Sequence, residues 1–258
     1  LKVFRLVARA NYRQTCVNLD DGVLQPCWNE LNDYLRLTGV GITGIAKANP
    51  SAEYLQAIRA AAHAAVDEMA DELGLPRSKA VTTVKPSGPL SKVMSTTEGV
   101  HKPLGRYIFN NVRFGNHDPA LAALDAAGYH IMEDPYTPGE SSIVTFPVRW
   151  DDVDFTDLGD GREVNLETAI EQLERYKLLM DNYVDYNCSV TISYDPSEVD
   201  DIVSWLYDNW DTYVGVSWIF RTDPTKTAED LGYPYLPQEV VSKDRYEEYV
   251  ARLGAVNL

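Results

Sequence analysis

The feature that most constrains the fold is an abrupt break. Ala80 to Val84 is an apolar, β-branched run. Lys85-Pro86-Ser87-Gly88-Pro89 stops it, and Leu90 to Met94 then begins a helical turn. The run suits a buried strand better than a helix. A strand, a tight Ser-Gly turn and a helix start leave backbone N–H groups at the carboxyl edge of a sheet, where an anion, usually phosphate, is received. An ordinary Pro-Gly turn beside a solvated lysine explains the spacing equally well, because the G-x-x-x-x-G-K-[ST] signature is absent. Upstream, Val40 to Ala46 reads as a glycine-interrupted strand. Ser51 caps a helix running to Leu73, stopped by Gly74 and Pro76. Strand, helix and the Ala80 strand form one βαβ unit, expected to be right-handed and parallel.

The remaining chain repeats this grammar. Leu1 to Ala10 has helical spacing, Thr15 to Leu19 is a short strand candidate before an Asp20-Asp21-Gly22 turn, and Gln25 to Leu37 is a helix. Strands are expected over Arg106 to Phe114, Tyr129 to Glu133 and Ser142 to Val148, with Asp118-Pro119 opening a helix over Ala120 to Ala127. Trp150 to Glu163 is acidic and turn-rich and reads as an insertion or lobe boundary near 150–164. Asn165 is the expected cap of a helix carrying Leu166, Ile170, Leu173 and Met180 on one face. Ser189 to Tyr194 is a strand, Asp195-Pro196-Ser197-Glu198 a capping box with proline at the first helical position, and Val214 to Phe220 the returning strand. The tail, 223–258, reads as an extension: loop, then a helix from Lys243 to Leu253. Two βαβ units with strands between them make an α/β architecture, with ligands at the strands' carboxyl ends.

Charge narrows the function classes. With 23 basic and 39 acidic residues the net charge is −16, against the basic face that duplex nucleic acid requires. Between Lys85 and Arg113 the balance inverts: Lys85, Lys92, Lys102, Arg106 and Arg113 face only Glu98, five minus one, or +4. That is the stretch most favourable to a phosphate. No apolar run is long enough to span a bilayer. Cys16, Cys27 and Cys188 have neither close pairing nor a C-x-x-C spacing, so they fit a reducing cytoplasm, and the four histidines show no metal-ligand spacing. The chain opens on Leu rather than Met, which suggests a piece of something longer.

The wording of TTVKPSGPLSKVMSTTEGVH closely resembles the substrate-phosphate loop of adenosylcobalamin-dependent (class II) ribonucleotide reductases, particularly the monomeric ribonucleoside-triphosphate reductases. RLTGVGITGI at Arg36 to Ile45, NCSVTISYDPSEV, and YVGVSWIFRTDPTKTAEDLGYPYLPQEVV extend the resemblance along nearly the whole chain, in order. It implies the C-terminal half of a ten-stranded α/β barrel, so that residues 1–258 would be a partial catalytic barrel domain. It also implies a ribonucleoside triphosphate as substrate, adenosylcobalamin as the cofactor of the complete enzyme, and a thioredoxin-type reductant. Carried over by position, the phosphate would meet Pro86, Ser87, Gly88, Leu90 and Ser91. Pro89 departs from the family's usual threonine and removes one N–H and one hydroxyl. Lys85 is a possible phosphate charge, with a solvated lysine as the plainer reading. His101 is a possible ligand contact, with a structural histidine as the plainer one.

The family's thiyl radical forms on an N-x-C-x-E finger loop, and that motif is absent. Pro26-Cys27-Trp28-Asn29-Glu30 echoes it with the wrong spacing, so no catalytic residue is assigned here, and the three cysteines read as small apolar residues. The finger cysteine and the redox pair would come from a companion chain, from intein joining or from a longer chain. A tight apolar interface would then form around Val40 to Ala46 and Ser189 to Tyr194. The competing reading is a non-catalytic nucleotide-binding or scaffolding remnant.

Overall fold

A computed structural model describes residues 1–19, 22 and 24–256. In chain order the elements are α1 (Lys2–Gln14), α2 (Pro26–Leu35), β1 (Val40–Ile42), α3 (Ile45–Ala48), α4 (Ala52–Leu73), β2 (Thr82–Val84), α5 (Gly88–Val93), β3 (Tyr107–Gly115), α6 (Ala120–Ala126) and β4 (Ile131–Glu133). They continue with β5 (Ser141–Arg149), β6 (Thr156–Asp157), β7 (Glu163–Val164), α7 (Ala169–Asn182), β8 (Thr191–Tyr194), α8 (Val199–Asp208), β9 (Ser217–Phe220), β10 (Gln238–Val240) and α9 (Lys243–Ala251). The chain divides into two compact units, one of Leu1–His101 with Glu167–Arg221, the other of Lys102–Leu166 with Thr222–Leu258.

The first unit is parallel α/β. β1 pairs with β2 from Val40↔Thr82 to Ile42↔Val84, and β8 with β9 from Thr191↔Ser217 to Tyr194↔Phe220, both parallel. A parallel bridge, Val84↔Cys188, joins the two pairs, giving the order β1-β2-β8-β9. Helices α4, α7 and α8 are the crossovers such parallel neighbours require. α4 forms where the sequence predicts it: the Ser51 hydroxyl accepts the Tyr54 amide at 3.2 Å, and Gly74 closes the helix in the left-handed region at φ 65°. It buries Leu55, Ile58, Ala62, Ala65 and Val66, while α7 buries Leu173, Tyr176 and Leu179 in the same core as Val84 and Ile192. Each large side chain so buried contributes roughly 1.5–3 kcal/mol. Asp185 ties the layers together. Its carboxylate accepts the Val81 and Thr82 amides at 2.8 and 3.1 Å, and meets Arg59 at 2.6 Å and His63 at 2.8 Å on α4.

The second unit is an antiparallel sheet in the order β10-β3-β5-β4, with α6 and α9 and a β6–β7 hairpin. β3 and β5 pair over nine positions, Tyr107↔Arg149 to Gly115↔Ser141. Tyr107, Phe109, Val241 and Tyr249 form one core, and Ile108, Trp150 and Val153 another.

Several expectations need correction. Thr15 to Leu19 is not a strand: the Thr15 amide closes a turn on the Tyr12 carbonyl at 3.0 Å, and Asp20 and Asp21 lie outside the described residues. The glycine-interrupted strand stops at Ile42, because Gly44 turns the chain at φ 75° into α3. The cap of α7 is Thr168, whose capping box with Glu171 supplants Asn165. Within the second unit, the acidic stretch after Trp150 contributes β6 and β7, and the tail contributes β10 beside β3.

Candidate functional site

At the carboxyl end of β2 the Lys85 amide makes the last sheet-like bond, to the Ile42 carbonyl at 3.3 Å. Ser87 then takes the left-handed conformation, φ 52° and ψ 31°, and caps the six-residue α5, which has proline in its first turn. A non-glycine residue in that region is strained unless its surroundings hold it there. The holding is done by Thr43 and the segment after α5. The Thr43 hydroxyl accepts the Gly99 amide at 2.8 Å and donates to the Thr97 carbonyl at 3.3 Å, and the Ile45 amide bonds the Gly99 carbonyl at 3.1 Å. Gly99, at φ 52°, passes so close to the loop that an added Cβ would stand 3.2 Å from the Lys85 carbonyl.

The predicted phosphate residues come together here with unequal freedom. Ser91 is fully buried; its amide bonds the Ser87 carbonyl at 2.7 Å and its hydroxyl donates to the Gly88 carbonyl at 2.8 Å, so it shapes the turn from within. Helix geometry leaves the first-turn N–H groups, those of Gly88 and Leu90, without intrahelical acceptors, and Pro89 between them has none. Pro86 is exposed, Ser87 half-buried, and the Leu90 side chain 53% exposed. Lys85 does not reach forward over the loop. Its stem lies back across β1: a Cβ on Gly41 would stand 2.7 Å from Cδ, and one on Gly39 would stand 3.6 Å from Nζ. His101 is a structural acceptor. Its Nε2 takes the Thr191 amide at 3.0 Å, which fixes β8, and burial holds its pKa below the ordinary value.

Much of the +4 charge is spent internally. Lys92 pairs with Glu98, Arg106 with Glu163 at 2.7 Å and Arg113 with Asp134 at 2.6 Å. Cys188 is buried, and burial pushes its thiol up to about 12; Cys27, read as a small apolar residue, is exposed on α2. Among the described residues no cluster of His, Cys, Asp or Glu could hold a metal, and no helix is long and apolar enough to cross a membrane.

Sequence reasoning missed the clamp of Thr43, Thr97 and Gly99. Its only signal was the Thr-Gly spacing in RLTGVGITGI. The strands' uncovered face also differs from expectation. Thr82, Val84, Val190 and Ile192 are buried, whereas Gly41, Lys85, Ser189 and Thr191 are exposed. By the two-residue alternation of strands, the face opposite these buried residues is polar, whereas the expectation placed an apolar interface around Val40 to Ala46 and Ser189 to Tyr194. Strand β9 does expose apolar residues, Trp218, Ile219 and Phe220, as do α1, α2 and α8.

No family model matches the chain. It is 35% identical over 157 residues to an adenosylcobalamin-dependent ribonucleoside-triphosphate reductase of Lacticaseibacillus paracasei, covering 60% of this chain and 20% of the relative. It is 30% identical over 193 residues to the protein of that name from Levilactobacillus brevis, covering 72% and 25%. The chain thus spans at most a quarter of the relatives' length. A crystal structure of a B12-dependent (class II) ribonucleotide reductase superposes with a TM-score of 0.83 at 23% identity, over 98% of this chain and 38% of that one. The fold is that of a partial α/β barrel of this type.

Proposed function

As a relative of one segment of the adenosylcobalamin-dependent ribonucleoside-triphosphate reductases, the chain, we propose, supplies the substrate-phosphate loop and one wall of the active site for deoxyribonucleotide synthesis. The observation that carries this reading is the turn at Ser87-Gly88. It sits at the carboxyl end of a parallel strand, held in a left-handed conformation by a dedicated clamp, with its first-turn amides unspent. The triphosphate of a ribonucleoside is received by the Gly88 and Leu90 amides and the Ser87 hydroxyl, while Pro86 and Ser91 keep the turn's shape. Lys85 adds charge by swinging off Gly41. The small, polar sheet face beside the loop suits a hydrophilic ligand.

The radical half of the reaction comes from elsewhere. Cys188 is protonated and buried, Cys16 bonds the Tyr12 carbonyl, and Cys27 stands on an exposed helix. The cobalamin, which supplies homolysis of a cobalt–carbon bond when bound, and the thioredoxin-type reductant are engaged by segments outside these residues, including one that carries the finger-loop cysteine. The exposed apolar strand β9 is the contact for the rest of the barrel.

Co-expression with a segment bearing N-x-C-x-E tests this. Adenosylcobalamin-dependent deoxynucleotide formation is expected, with Ser87→Ala raising the substrate KM several-fold and leaving kcat nearly unchanged. Nucleoside triphosphate binding that is sensitive to Ser87→Ala, without turnover in the reconstituted pair, would instead identify a non-catalytic nucleotide-binding remnant. Binding indifferent to the loop would refute both readings.

A further inference from the structure

We propose that the second unit carries a separate binding site for a small organic anion with a flat apolar body, in the cleft between the β3–β5 sheet and α9. A cavity of about 430 Å³ opens there, within the range of small-molecule sites. Its floor is aromatic: the Phe109 and Tyr249 rings pack at 4.9 Å. The polar atoms around that floor satisfy one another. The Tyr249 hydroxyl donates to the Thr145 carbonyl and accepts the His130 amide, each at 2.8 Å. The Thr145 hydroxyl donates to the Asn111 side-chain oxygen at 2.7 Å, and the Asn111 amide group donates to the Leu236 carbonyl at 2.8 Å. A ligand resting on the floor therefore breaks no bond and strands no polar group.

The donors left over are guanidinium groups. Arg245 lies 5.2 Å from the Phe109 ring centroid and pairs through one nitrogen with Glu239 at 2.7 Å, which neutralises that carboxylate. Arg252 lies 4.5 Å over the Tyr249 ring and makes no ion pair among the described residues; Glu248, one turn earlier on the same helix edge, is beyond 4.0 Å. Stacking on a ring holds the guanidinium plane in place and leaves its N–H edge for a bidentate anion. In a chain of net charge −16, Arg245 and Arg252 balance Glu239 and Glu248 around this cleft, and Arg252 is left to meet an anion beside the self-satisfied aromatic floor. Its chemistry is that of a carboxylate or a phosphomonoester borne on a ring.

Titration of the full chain by calorimetry and by amide NMR tests this with benzoate and phenyl phosphate as probes; benzamide supplies the ring without charge and inorganic phosphate the charge without the ring. Saturable binding of benzoate or phenyl phosphate is expected, whichever is tighter naming the anion. The two controls should bind at least about tenfold more weakly. Arg252→Gln should weaken the better probe about tenfold, whereas Arg77→Gln, which is not among the residues lining the cleft, should not. Met132→Trp, which fills the cavity, should abolish binding with the melting temperature retained. Absence of saturation, parity of benzoate with benzamide, or equal affinity in the Arg252→Gln and Arg77→Gln variants overturns the proposal.

Discussion

Asp185 shows how one side chain can register three layers. Burial would push its carboxyl up, but the Val81 amide, Arg59, the Thr82 amide and His63 together outweigh burial and hold it below the usual carboxylate range. A depressed carboxyl contributes stability that is present above its unfolded value near 3.9 and lost as pH falls through the folded value. Asp185→Asn is therefore expected to lower unfolding free energy by about 1–3 kcal/mol at neutral pH, with the difference from the parent chain shrinking in urea titrations at acid pH. His101 titrates the other way in charge but with the same sign in stability. Because burial depresses its pKa, the unfolded chain binds the proton more readily, so stability falls as pH drops below about 6.5. The protection factor of the Thr191 amide, its exchange rate measured against the intrinsic rate at each pH, should fall over that descent, since a protonated Nε2 no longer accepts it. Gly44 is a third such position: at φ 75° an added Cβ would collide with the Thr96 hydroxyl. Gly44→Ala should cost about 1–3 kcal/mol and raise exchange across α5, read by mass spectrometry. These roles were not legible in the sequence. His101 could be placed near the loop by its neighbours, but not given a partner ninety positions away.

At the scale of elements, what could be read followed from locality. α4, with Ser51 before it and Gly74 after it, and the Asp195–Glu198 capping box were visible because their determinants lie within a few residues. β10 was invisible: Gln238-Glu239-Val240 has no strand pattern of its own and exists because β3 offers an edge. The amide of Val241, beyond its end, bonds the Tyr107 carbonyl at 3.0 Å, and Val241 is 1% exposed. Val241→Pro deletes that donor, and the second unit should lose several kcal/mol; exchange at the amides of 107–111 measures it. The turn at Ser87-Gly88 was legible in outline, as a strand, a break and a helix start. Which of its groups are spent was not, because Ser91 turns inward and Lys85 lies back over Gly41 only once β1 is alongside.

For the whole molecule, the two units differ in kind. The first follows parallel α/β rules and was anticipated; the second is an antiparallel sheet assembled from two separated stretches of chain, which local patterns could not join. Strand β9 is one of several places where the first unit exposes apolar side chains: Ile219 and Phe220 are 57% and 67% exposed. Replacing Phe220 with Ser should lower binding of a hydrophobic dye while leaving the melting temperature within about 2 °C, since exposed positions contribute little to folding.

All four residues of β9 are exposed, and β8 is its sole strand partner among the described residues. Its outer margin is an unoccupied row of peptide donors and acceptors flanked by greasy side chains. Such a margin will accept whatever extended backbone arrives first, including that of another copy. Handling this polypeptide in concentrated solution therefore favours self-templated fibres grown from that strand.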